Sequence, residues 1–180
     1  MDGTDKQTVF AALSYLLSYP DEEWRKERSE WQQIIGEIEH EALKGHLLAF
    51  LESAASYSSE ELIETYVLTF DFGKKTNLYV TYFNSGEQRE RGIELLQLKD
   101  LYQQSGFQPT DKELPDYLPL MLEFAAVADQ EKAVAVFQKY AANLEELRSQ
   151  LSENESIYTP LLDGLMLILE EIGVERNVQP

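Results

Sequence analysis

Apolar residues recur along this chain at steps of three and four, the spacing of one face of an α-helix. Val9, Phe10, Leu13, Leu16 and Leu17 form a first stripe, halted at Pro20. Trp24, Trp31, Ile34, Ile35 and Ile38 form a second within a heavily charged segment, and Leu43, Leu47, Phe50, Leu51 and Ala54 a third. Leu62, Ile63, Tyr66, Val67 and Phe70 form a fourth, with Ser58 and Glu61 ahead of it at capping-box spacing. A long helix is predicted from about 86 to 104, with Ser85 and Gln88 as its capping pair and Gly106 closing it. Gly92 inside that helix costs about 1 kcal/mol relative to alanine, which a close helix contact would offset. Residues 118–128 are apolar almost all round, the mark of a central, buried helix. The segment 129–151 places Ala133, Phe137, Tyr140, Leu144, Leu147 and Leu151 on one face, and 156–172 does the same with Ile157, Leu161, Leu165 and Leu169. The tail from about 173 is expected to fray.

Two stretches break the pattern. Residues 71–86 hold Gly73, two lysines and the run Leu78-Tyr79-Val80-Thr81-Tyr82-Phe83. That run suits a strand by composition, but no second strand is evident to pair with it, so a short helix or turn is preferred. In the other stretch, Thr110 and Glu113 repeat the capping-box spacing. Pro115 and Pro119 are placed in the turns leading to the next helix, because proline removes a backbone donor and blocks helix interiors. The prediction is all-α: a single compact helical domain, residues 1–180, of about eight helices with short connections.

Composition supports helix over sheet: 26 Leu against 16 Val plus Ile, and only 15 Gly plus Pro in 180 residues. The absence of cysteine excludes disulfides, Cys-ligated metal and thiol chemistry. A net charge of −18 argues against nucleic acid and anionic lipid as partners. No apolar window is long enough to span a bilayer, and the first ten residues lack a secretory pattern, so no membrane insertion or secretory signal is expected; the lack of cysteine is compatible with the cytoplasm, the location that the resemblance given below implies. Acidity is uneven: residues 1–57 carry −6, 58–106 carry −3 and 107–180 carry −9.

Few residues suggest catalysis. Glu37 and His40 have the Glu-x-x-His spacing of di-iron bundles, but the second pair such a site requires is missing. Asp116 and Glu123 are seven apart and share a helix face if the helix reaches back to Asp116. Glu123, inside the most apolar helix, calls for a partner such as Arg89 or Arg91, a cationic ligand, or solvent. Tyr79, Tyr82 and Phe83 read either as core or as the wall of a groove for a basic amphipathic peptide.

Two stretches together resemble a known family: the first is Tyr66-Val67-Leu68-Thr69-Phe70-Asp71-Phe72, then Leu78-Tyr79-Val80-Thr81-Tyr82, then Arg89-Glu90-Arg91-Gly92-Ile93-Glu94-Leu95-Leu96; the second is Glu113-Leu114-Pro115-Asp116-Tyr117-Leu118-Pro119-Leu120-Met121-Leu122-Glu123-Phe124. The combination is similar to the NarJ-type assembly chaperones of respiratory nitrate reductase, within the TorD/DmsD group of redox-enzyme maturation chaperones. That group often has Pro-Asp-His where this chain has Pro115-Asp116-Tyr117, which favours the NarJ branch. The resemblance implies a TorD-like helical bundle with no enzymatic activity and no permanently bound cofactor. It implies a chaperone that binds the N-terminal segment of the catalytic molybdenum subunit and assists molybdenum cofactor insertion, with transient contact to that cofactor or its delivery proteins. On this reading Tyr79, Tyr82, Phe83, Leu114, Pro115, Asp116, Tyr117, Pro119 and Glu123 form the peptide site. Arg89 and Arg91 are candidates to contact the anionic cofactor, and the chaperone is a monomer or a dimer. The rival readings are a carboxylate-metal oxidase and a general helical adaptor.

Overall fold

The computed structural model describes residues 3–73, 75–83, 88–110 and 112–175. The predicted Ser85–Gln88 cap, the Phe83 side chain, Asp111 and the tail beyond 175 lie outside the described residues.

Eight α-helices occur among these residues: α1 (Gly3–Leu16), α2 (Glu22–Gly36), α3 (Glu41–Ala55), α4 (Ser59–Tyr66), α5 (Gln88–Gln104), α6 (Leu118–Val127), α7 (Gln130–Glu153) and α8 (Thr159–Ile172). Local chemistry sets several of their ends. Ser58 and Glu61 form the reciprocal capping box of α4, with bonds of 3.2 and 2.8 Å. Gly106 has φ +75°, the left-handed conformation that lets the Phe107 N–H reach back to the Tyr102 carbonyl at 2.9 Å and close α5. His40 caps α3 by accepting from the Leu43 N–H at 3.2 Å, and its other ring nitrogen lies 2.5 Å from Glu171 of α8. Nδ1 is thus occupied in capping α3 and Nε2 in joining it to α8, and Glu37 merely follows the end of α2.

The core forms where α6 packs on α1, and α8 on α3 and α7. Helix α6 buries seven of its ten residues, which explains its nearly uninterrupted apolar sequence. The stripe of α7 is buried throughout, and so are Leu161, Leu165 and Leu169 of α8. A Cβ on Gly164 would lie 3.3 Å from that of His46, so glycine there permits the close approach of α8 to α3.

Several expectations are corrected. The fourth stripe is not α-helical to its end: Val67–Asp71 form a π turn, closed by the Phe72 N–H on the Val67 carbonyl at 3.1 Å. The turn keeps Phe70 buried but leaves Leu68 and Phe72 exposed. The aromatic run contains a 3₁₀ turn, Val80–Phe83, as the preference for a short helix or turn anticipates. It also finds a strand-like partner that the sequence did not reveal. Tyr79 bridges antiparallel to Tyr117, flanked by Leu118 N–H to Leu78 O at 2.8 Å and Val80 N–H to Asp116 O at 2.9 Å. Thr110 and Glu113 start no helix. Pro119 lies in the first turn of α6, where its missing N–H has no helical partner to lose. Gly92 has open space, not a packed helix, around the position of an added Cβ.

Candidate functional site

The bridge between Tyr79 and Tyr117 joins the two irregular stretches of the chain, and buried polar links fix them. Asp116 is 0% exposed. Its Oδ2 accepts from the Thr81 hydroxyl at 2.7 Å and the Thr81 N–H at 3.3 Å, and pairs with Arg91 of α5 at 3.3 Å. Arg91 Nε also donates to the Thr81 hydroxyl at 3.0 Å. A buried carboxylate without such partners would cost several kcal/mol. Tyr102 of α5 donates to the Pro115 carbonyl at 2.8 Å, and Asn143 of α7 to the Val80 carbonyl at 2.8 Å. The loop before α6, the 3₁₀ turn and α5 are therefore held as one unit.

Beside this junction opens a cavity of about 400 Å³, walled by Tyr19, Tyr66, Phe70, Tyr79 and Tyr117, with Asp71 and Glu113 also in its lining. The Tyr79 hydroxyl donates to Glu113 at 2.6 Å. The Tyr66 hydroxyl donates to the Leu17 carbonyl at 3.1 Å and lies 3.1 Å from that of Tyr117. The Tyr79 and Tyr117 rings are 5.2 Å apart and tilted, while Tyr19 meets Tyr66 edge-on at 5.5 Å. Loss of water around Tyr66, Tyr79 and Tyr117 pushes their hydroxyl pKa values above the ordinary tyrosine range. The Glu113 carboxylate adds to this effect at Tyr79, through its hydrogen bond and its charge. A second cleft, about 690 Å³, is lined by Lys99, Gln103, Pro109, Leu114 and Pro115, and Glu113 borders both.

The predicted site residues thus divide. Tyr79 and Tyr117 wall the first cavity, and Leu114 and Pro115 line the second. Tyr82 is exposed on the 3₁₀ turn. Asp116 lies beneath the surface as the clamp between Thr81 and Arg91. Pro119 is buried in α6, its carbonyl accepting from Ser14 of α1 at 2.7 Å. Because α6 begins at Leu118, Asp116 and Glu123 do not share its face; Glu123 is exposed and meets solvent instead of a buried partner. Arg91 is committed to Asp116, whereas Arg89 is exposed, with no ion pair among the described residues. Sequence reasoning missed Tyr19, Asp71 and Glu113 as members of the cavity, and took Tyr66 and Phe70 only as core. Glu113 and Asp71 lie in the motif segments, but Tyr19 arrives through tertiary packing and carries no sequence signal.

Among the described residues, no group of three or more His, Asp or Glu could hold a metal ion, and no helix is long and apolar enough to cross a membrane.

The sequence model for the nitrate reductase delta subunit matches residues 11–162. The chain is 63% identical over 179 residues to a Bacillus subtilis protein described as a nitrate reductase molybdenum cofactor assembly chaperone, NarJ, covering 99% of this chain and 97% of that one. It is 33% identical over 167 residues to the Escherichia coli K12 NarJ of the same description, covering 92% and 70%. A crystal structure from Archaeoglobus fulgidus, described as a redox enzyme maturation protein, shares the fold, with a TM-score of 0.67 at 20% identity over 91% of this chain and 93% of that one. The helical bundle, the motif segments and these matches agree: the chain belongs to the nitrate reductase delta subunit family.

Proposed function

We propose that this protein is a cytoplasmic assembly chaperone, not an enzyme, for a molybdenum-containing nitrate reductase. It binds the N-terminal segment of the apo catalytic subunit and keeps that subunit ready for cofactor insertion. The observation that carries the segment reading is the pair of adjoining clefts: one aromatic, one lined by Leu114, Pro115 and polar side chains, with Glu113 common to both. Together they offer length and apolar surface for a short amphipathic peptide, whose burial gives affinity once the cost of ordering it is met. Tyr79, Tyr117, Leu114 and Pro115 make the wall, Tyr82 extends it, and Asp116 is a positioning residue. The molybdenum cofactor is cargo for the client. Of the two arginines considered for a transient contact with it, Arg89 is the better placed, since Arg91 already pairs with Asp116.

The test is a calorimetric titration with the catalytic subunit's N-terminal peptide. Tyr79→Ala is expected to weaken binding about tenfold, equivalent to about 1.4 kcal/mol, while Glu123→Gln leaves it unchanged. Absence of binding to the wild-type chain rejects the reading.

A further inference from the structure

The cavity walled by Tyr19, Tyr66, Phe70, Tyr79 and Tyr117 has a chemistry that a merely apolar groove lacks. Among the described residues its two charged lining groups, Asp71 and Glu113, are both acidic and both exposed, and no lysine or arginine is among them. Neither carboxylate forms an ion pair among the described residues. Among the described residues Glu113 receives the Tyr79 hydroxyl alone, and an ionised carboxylate can accept several bonds. The other carboxylates discussed for recognition serve elsewhere: Asp116 is sealed beneath Thr81 and Arg91, and Glu123 lines neither cleft.

We propose that this cavity is a cation cage that receives one lysine or arginine side chain of the client's N-terminal segment. The inference rests on the segment-binding reading and assigns charge recognition within it to Asp71 and Glu113. The electron-rich ring faces attract a cationic head, and the partly desolvated setting strengthens that attraction. The carboxylates complete the ion pair, and the aliphatic stem of the guest packs on the apolar wall. Burial raises the hydroxyl pKa values of Tyr66, Tyr79 and Tyr117, and the nearby Asp71 carboxylate adds to the rise at Tyr66 and Tyr117. A metal ion fits less well, since only two carboxylates line the cavity and no group of three or more acidic or histidine side chains among the described residues could hold one.

The full-length chain is titrated with N-acetyl-arginine methylamide, N-acetyl-lysine methylamide and the neutral citrulline analogue, while tyrosine ring resonances are followed by NMR. Saturable shifts at Tyr79 and Tyr117 are expected with a cationic probe, at least tenfold weaker with citrulline. Asp71→Asn with Glu113→Gln, two exposed substitutions, is expected to weaken the cationic response at least tenfold. The arginine and lysine arms show which head group the cage prefers. Equal response to citrulline, no response at these rings, or no effect of the double substitution overturns the cage.

A second arm uses the client peptide with each basic residue replaced in turn by citrulline or norleucine. One position is expected to dominate, and its effect to vanish in the double variant. If the peptide binds but no position couples to Asp71 and Glu113, the cage is wrong and the chaperone reading stands. If the cationic probes bind as expected but the peptide does not, the segment reading fails while the cage stands as a cation site.

Discussion

Helices α5 and α6 place their apolar residues in opposite ways. Helix α6 buries seven of its ten residues between its neighbours. Helix α5 buries Leu98 and Tyr102 but leaves Ile93 50% and Leu96 63% exposed, with the open flank of Gly92 beside them. Packing places α6. Directional polar links place α5: Arg91 to Asp116 and Thr81, and Tyr102 to the Pro115 carbonyl. The difference separates two tasks. Stability resides in the frame of α1, α3, α6, α7 and α8, while the cleft-bearing junction is fastened to that frame by a few bonds.

The largest expected effect tests what the two regions share. Tyr66 at the cleft, Tyr102 of α5 and Tyr158 of the core are all buried, and desolvation raises all three hydroxyl pKa values. Above about pH 10 the unfolded chain releases these protons while the folded chain retains them, so stability must fall as pH rises. Cooperative alkaline unfolding is expected, with the buried tyrosines ionising only as helical circular dichroism is lost; ionisation of all three in the intact helical state would contradict their burial.

Core truncation separates the regions. Phe124→Ala in α6 should cost about 3–5 kcal/mol in denaturant unfolding, whereas Leu96→Ala on the open face of α5 should stay within about 0.5 kcal/mol. Comparable costs would erase the distinction.

Arg91→Ala leaves Asp116 buried without its ion pair. Because Arg91 is itself partly exposed, the cost should fall below that of a fully buried pair, at about 2–3 kcal/mol. Hydrogen exchange should show the loss at residues 80–83 and 112–117, not in α7 or α8. The smallest effect has the opposite sign. Gly92→Ala should stabilise the chain by about 0.5–1 kcal/mol, since nothing occupies the added methyl's place; destabilisation in the same unfolding assay would mean that α5 packs there after all.

Most of the frame is legible in the sequence because each stripe is a local record of one buried face. Phe137, Tyr140 and Leu144 repeat at helical spacing and are all buried. The junction is less legible because its members come from separate elements. A π turn carries residues similar to an α-helix, so the change of register at Val67 leaves no periodic trace. Glu123 attracted attention because its helix is apolar almost all round, yet α6 keeps an open edge at Glu123 and Val127. Asp116 stood out through its spacing from Glu123 and through the motif resemblance, neither of which signals burial. Its burial depends on Thr81 and Arg91, 35 and 25 residues away. Tyr19 enters the cavity from the turn after α1, and only the tertiary arrangement brings it beside Tyr66.

The central claim is that the client's N-terminal segment docks on the polar-linked junction and not on the packed frame. Backbone amide shift mapping of the full-length chain, titrated with that peptide, tests it most directly. Perturbations concentrated in residues 66–83 and 112–117 are predicted. Perturbations centred instead on the separate cleft of about 240 Å³ lined by Lys6, Phe10, Ala133 and Ile172, with the junction unchanged, would contradict it.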